Sequence, residues 1–167
     1  VGTLSPDLTY EDSHHEDIGG VRFEFEHCKG ETDDHTWTWL PELKMISAGD
    51  QFIWTFPNCG NPQKVQRYPV EWAESLRAMM AKEPELFVPA HGLPIAGRDR
   101  IAGCLTTVAE TLETLVAEVL AAMNSGATLD EILQAVSVPA ETLELPYLRP
   151  LYDEPEFVIR NIWRMYG

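Results

Sequence analysis

The stretch Gly30-Glu31-Thr32-Asp33-Asp34-His35 stands between two runs of alternating apolar and polar residues, Val21 to His27 and Thr36 to Leu40. Alternation at period two marks strands with one wet face, so the acidic stretch becomes the connection between neighbouring strands. Two later stretches repeat the arrangement. Gly49-Asp50 follows Lys44 to Ala48, and Pro89-Ala90-His91-Gly92 follows Glu85 to Val88. Each delivers a carboxylate or an imidazole in a turn just after a strand, where side chains from different strands meet. Carboxylate oxygen and neutral imidazole nitrogen are ligands for zinc and similar ions, and the short Gly49-Asp50 turn suits Asp50 to bridging two of them. Paired ions would lower the pKa of a shared water, which makes metal-assisted hydrolysis the matching reaction class. Taken singly, an Asp after Gly is an ordinary turn residue and a His before Gly an ordinary loop residue. The ordered set of three is what argues for ligands.

Outward from this stretch the chain reads as mixed α and β. Residues 1–19 are polar and turn-rich, an arm or an entering edge strand. The Val21 run points Val21, Phe23 and Phe25 inward, and Trp37 and Trp39 share a face as packing aromatics. Strands at 21–27, 36–40 and 44–48 form a meander with Glu31 and Asp50 at the same end, and His35 is placed to support a ligand by hydrogen bond or to serve as a polar strand-start residue. After the apolar run Gln51 to Phe56, Pro57-Asn58-Cys59-Gly60-Asn61-Pro62 is a loop by composition, positioned to wall a cleft. Lys64 and Arg67 are the nearest cations in sequence to the proposed site. A guanidinium fork suits a pair of anion oxygens, so Arg67, with Asn58 as a neutral donor, is the candidate substrate contact; the alternative is an ordinary loop role for both.

Pro69 opens a helix to about Lys82 with Trp72, Leu76, Met79 and Met80 on one face. The strand at 85–88 follows it, a crossover typical of α/β folds. Asp99 is read as the cap of a long helix to Met123, and Asn124-Ser125-Gly126 stops it. Thr128 and Glu131 form a capping box for a short helix, Pro139 starts a brief turn, and Asp153-Glu154-Pro155 opens a final apolar helix.

Composition narrows the function classes. The 167 residues include 12 Lys and Arg against 27 Asp and Glu, a net charge of −15. Nucleic acid and anionic membrane surfaces are disfavoured as partners, since both need clustered Lys and Arg. An anionic substrate would need metals and a few local cations to overcome the global field. Cys28, Cys59 and Cys104 are scattered and form neither a disulfide framework nor a Cys-x-x-Cys zinc motif. There is no Gly-x-Ser-x-Gly elbow and no convincing Cys-His pair, which favours metal-dependent hydrolysis over nucleophilic Ser or Cys chemistry. No apolar run approaches transmembrane length. Starting at Val1 rather than Met, the chain leaves a removed leader or a missing portion open, and with it the compartment.

Glu31 in Gly-Glu-Thr-Asp-Asp-His, Asp50 in Ala-Gly-Asp and His91 in Pro-Ala-His-Gly resemble, in order, the second half of the metallo-β-lactamase superfamily. Glu31 at a position where His is commoner, together with the run Phe52 to Arg67, looks like the alkyl-sulfatase branch, and Pro146 to Gly167 resembles the start of that branch's dimerisation region. The resemblance covers the chain from about Gly19 onward. It implies an α/β fold, the C-terminal half of an αββα sandwich over residues 1–123, followed by an α-helical appendage over 124–167.

The resemblance further implies a zinc-dependent hydrolase that cleaves sulfate esters by metal-activated water. Glu31, Asp50 and His91 would be metal ligands in a site of two zinc ions, with Asp50 also catalytic as the bridge. The substrate would be a small anionic ester. One departure is large: the superfamily's His-x-His-x-Asp-His motif, source of the other ligands, is absent, and His14-His15-Glu16-Asp17 has the wrong spacing to replace it. The chain is therefore expected to be a partial, catalytically incomplete segment. Half a sandwich leaves one sheet face bare, so association with the missing N-terminal half or a homodimer is expected. The alternatives are an assembly module with a vacant site, or a hydrolase of another ester, lactam or thioester on the same fold.

Overall fold

A computed structural model of the chain describes residues 4–60 and 66–167; Lys64 lies outside the described residues. Its centre is one sheet of six strands in chain order, β1 (Ser13–Ile18), β2 (Val21–Cys28), β3 (His35–Leu40), β4 (Met45–Ile53), β5 (Leu86–His91) and β6 (Ile95–Ala96). The first four form an antiparallel meander, β5 returns parallel to β4, and β6 pairs antiparallel with β5. Between β4 and β5 runs α1 (Pro69–Ala81), the crossover that a parallel pair requires. The long α2 (Arg98–Asn124), the short α3 (Leu129–Ala135) and α4 (Ala140–Leu143), α5 (Pro155–Tyr166) and a 3-10 turn at Pro41–Leu43 complete the described elements.

Helices cover one face of the sheet. Trp37 and Trp39 of β3, Ile46 and Ala48 of β4 and Phe87 of β5 are buried against Trp72, Leu76 and Met79 of α1 and the apolar stripe of α2, in one continuous core. Each fully buried side chain of this size contributes about 1.5–3 kcal/mol by leaving water.

Register explains the opposite face. Glu24 and Glu26 pair with Trp39 and Trp37, so these two glutamates share the helix-covered face, where they reach Lys82 at the end of α1 at 3.2 and 3.7 Å. Val21, Phe23 and Phe25 consequently turn the other way, half-buried beside His14, with Met45, Leu86 and Val88 aligned across the sheet. These three residues thus lie on the face that none of the described α-helices covers, the face that half a sandwich leaves bare. That face ends at Ile18, 57% exposed.

Two local readings change. The long helix is capped by Gly97 (φ +97) rather than by Asp99, which sits in its first turn without a capping hydrogen bond. The segment Gly49-Asp50 is no turn: β4 continues through it to Ile53, with register shifts between Ser47, Gly49 and Ile53. It is a β-bulge, with Gly49 at φ +57. The Thr128–Glu131 capping box forms as read.

Candidate active site

The bulge aims Asp50. Gly49 sits against the ring of His35, which would lie 2.6 Å from an added Cβ, and His35 Nε2 bonds the Ala48 carbonyl at 3.1 Å. His35 thus buttresses the backbone that carries Asp50 and does not line the cleft. His91 is the last residue of β5 and pairs across the irregularity with Ile53. Next to it Gly92 (φ +103) lets Trp54 lie across the backbone, where any side chain would collide with the indole; Trp54 Nε1 donates to the Leu93 carbonyl at 2.8 Å.

Glu31 is placed from the other side. Gln51, wholly buried, donates through Nε2 to the Lys29 carbonyl at 3.0 Å and to Cys28 Sγ at 2.8 Å. Its amide lies so close over Gly30 that a Cβ there would clash with it. The Gly30 carbonyl accepts from Tyr68 N at 3.0 Å, tying the Glu31 loop to the start of α1. Nothing in the apolar-looking run after Asp50 marked Gln51 for this task.

These elements build one cleft of about 600 Å³ lined by Glu31, Asp50, Asn58, Arg67 and His91, with Trp54 and Tyr152 among its apolar walls. Five of the six residues singled out in the sequence therefore face one space. Their pairing is specific. His91 Nε2 stands 3.3 Å from Asp50 Oδ1, out of line for a hydrogen bond, and that oxygen is buried with no hydrogen-bond donor among the described residues. Arg67, 3% exposed, pairs with Glu31 through Nη2 at 2.7 Å, and Asn58 Nδ2 reaches the same Glu31 oxygen at 3.4 Å. Arg67 is accordingly no free cation; its Nε alone is buried without an acceptor among the described residues.

The donor set fits a metal in part. Two ligand atoms about 2.1 Å from a tetrahedral ion lie roughly 3.4 Å apart, close to the Asp50–His91 separation, and an orphaned carboxylate oxygen facing an imidazole nitrogen is what such a pair leaves when no ion is included. Glu31 lines the same cleft but leans onto Arg67. Among the described residues no three His, Cys, Asp or Glu side chains converge closely enough to cage an ion.

Behind the cleft lies a second buried polar group. Cys59 and Asp153 are both inaccessible, and burial pushes the Cys59 thiol well up and the Asp153 carboxyl up from their ordinary values. Asp153 Oδ2 accepts from Gly60 N at 3.2 Å and Oδ1 from Glu154 N at 3.2 Å. The tail thereby holds the loop that bears Asn58. Sequence reading missed this group because its partners lie more than ninety residues apart.

Comparison with known proteins follows the same outline. No family model matches the chain. It is 30% identical over 166 residues to a linear primary-alkylsulfatase of Pseudomonas sp. (strain ATCC 19151), an alignment covering 98% of this chain and 31% of that protein. It superposes on a stereoselective inverting sec-alkylsulfatase from Pseudomonas sp. with a TM-score of 0.87 at 23% identity, over 97% of this chain and 27% of the other. Over nearly its whole length the chain is similar to part of the alkylsulfatases and shares their metallo-β-lactamase-type fold. A metallo-β-lactamase family protein of Thermus thermophilus shares the fold more distantly, with a TM-score of 0.56 at 21% identity over 95% of this chain and 47% of that one. The chain spans about a third of the length of that curated relative. Its α/β architecture is the sheet and helix layer expected from the resemblance.

Proposed function

We propose that the chain supplies part of the active site of a metal-dependent alkyl sulfatase, with Asp50, His91 and Glu31 as its share of the ligands and Arg67 and Asn58 as contacts to the sulfate group. The observation that carries the reading is the buried Asp50 Oδ1, without a donor among the described residues, facing His91 Nε2 in a cleft also lined by Arg67 and Asn58. Zinc ions, two in the complete site, would be held by these ligands and by others beyond them, and supply Lewis acidity toward an ester oxygen. The chain's own groups do the rest. Arg67 Nε is the donor left for an anion, and Asn58 Nδ2, whose bond to Glu31 is long, is the second. Because Glu31 neutralises Arg67, these N–H donors act by hydrogen bonding, and the bound metal ions would have to oppose the −15 of the whole chain where a sulfate sits. Trp54 and Tyr152 give the alkyl part an apolar wall.

Because no three ligands converge among the described residues, we read the chain alone as inactive. The open sheet face is the place where a second sheet would dock, brought by further sequence or by another copy, and residues 124–167 are read as the beginning of a dimerisation region. A strictly monomeric chain on light scattering would count against that docking. For the activity, the test is release of inorganic sulfate from hexyl sulfate by the intact protein. Release is expected to stop in Asp50→Ala and His91→Ala and to need more substrate in Arg67→Ala; undiminished release in either ligand variant would sink the assignment.

A further inference from the structure

The segments that bring Asn58 and Arg67 into the cleft meet the β2–β3 hairpin at Gly30 and Glu31. Among the described residues their other fixed points come from the tail. Asn161 of α5, 1% exposed, donates through Nδ2 to the Arg67 carbonyl at 3.0 Å. Its Oδ1 accepts from Gln66 Nε2 at 2.8 Å and from Arg164 Nη2 at 3.1 Å. Two residues from Asn58, Gly60 packs on the Phe157–Val158 backbone of α5 so closely that a Cβ would strike the Phe157 carbonyl, and its N–H is taken by Asp153. Just before the loop, Phe56 N and Thr55 Oγ1 both donate to the Arg149 carbonyl, at 2.9 and 2.8 Å. Apart from the Arg164 bond, which lies within α5, each of these joins a cleft-bearing segment to the tail.

We propose that the tail segment from Arg149 through α5 is the seat of the cleft's polar wall, with Asn161 and Asp153 as positioning residues that fix Arg67 and Asn58 and, through them, Glu31. The chemistry supports this over simple packing. A core helix needs only apolar contacts, and Val158, Ile159 and Ile162 supply them for α5. Asn161 adds nothing to that stripe; burying its amide is costly unless every polar atom finds a partner, and the partners it finds are the backbone and neighbour of Arg67. The wall is therefore specified by long-range bonds to α5.

This inference rests on the proposed function only for what the wall is used for. The test is run on the whole chain. Asn161→Asp keeps the acceptor for Gln66 and Arg164 and loses the donor to the Arg67 carbonyl; Ile162→Ala removes core contact from the same helix and leaves that donor. Two readouts are taken. Amide exchange over residues 56–60 and 66–68 is expected to quicken about tenfold in Asn161→Asp relative to the sheet peptides, the loss of one buried bond. The Arg67 side-chain ¹⁵N signal, assigned by its disappearance in Arg67→Lys, is expected to broaden or shift in Asn161→Asp and to hold its position in Ile162→Ala. Unchanged loop exchange and an unmoved Arg67 signal in Asn161→Asp would overturn the inference, as would equal effects in Ile162→Ala. Titration of the intact protein with zinc and with octanesulfonate judges the proposed function separately: failure of both ligands to bind overturns that reading, while exchange and the Arg67 signal still decide the role of α5.

Discussion

The two walls of the cleft are built in different ways. Asp50 and His91 come off adjacent parallel strands, and Glu31 off the hairpin beside them, so sheet pairing alone brings the three to one edge. Asn58 and Arg67 come from segments whose described residues bond to positions about ninety residues later. The first wall is fixed by local order along the chain. The second is fixed by the docking of the final helix, and a lesion in the tail should reach the cleft through it.

The sharpest way to break that contrast is Gly60→Ala. The added methyl meets the backbone at Phe157, which cannot move aside as a side-chain tip would, so α5 must lift. A loss of about 3 kcal/mol is expected, read by urea unfolding; a variant as stable as wild type would mean the loop does not rest on α5. On the strand-built wall the matching lesion is Gln51→Ala, which removes the bonds to the Lys29 carbonyl and Cys28 Sγ. It is expected to cost about 2 kcal/mol and to loosen exchange in residues 29–34 while leaving 56–60 alone. Loosening of both loops would erase the distinction between the walls.

Acid titration sharpens it further. Burial holds the Asp153 carboxyl above its ordinary value near 3.8, against the pull of the Glu154 and Gly60 N–H groups. With the folded pKa raised, the unfolded chain ionises first. Stability is full below the unfolded value and is lost as pH rises through the folded one. Asp153→Asn should abolish that decline in unfolding experiments stepped upward from acid pH, an effect smaller than the two losses above. The smallest effect belongs to the surface pair of Arg77 and Glu113 between α1 and α2, at 2.6 Å, far from both walls. The hydrogen bond from Arg77 holds Glu113 below its ordinary 4.5. Here the contribution is present above the unfolded value and disappears as pH falls through the folded one. Glu113→Gln should cost at most about 1 kcal/mol at neutral pH and nothing in acid.

Much of the first wall was legible because its signals are short-range. Alternation located the strands, and a glycine beside each acidic or imidazole side chain marked where the backbone would bend. Two readings needed strand pairing to settle them. Asp50 reads as a turn residue because a bulge inside a strand has the same Gly-Asp signature as a turn, and only pairing with β5 distinguishes them. For Val21, Phe23 and Phe25, period two gives two faces without saying which one the helices cover; pairing of Glu24 and Glu26 with the buried tryptophans decides it. The second wall was legible only as composition. Arg67 and Asn58 could be named as an anion pair, but the Glu31 ion pair and the roles of Asn161, Asp153 and Gln51 depend on side chains converging from distant positions, for which the sequence has no local mark.

The central claim is that Asp50 and His91 are ligands rather than a casual polar pair. The direct measurement is zinc content by elemental analysis after exhaustive dialysis, for the intact protein whose site is completed by ligands beyond this chain and for its double variant Asp50→Ala/His91→Ala. The account predicts zinc retained by the intact wild type and lost from a variant that still gives the same circular dichroism spectrum. An intact wild type without zinc, or a variant that keeps as much, would contradict it.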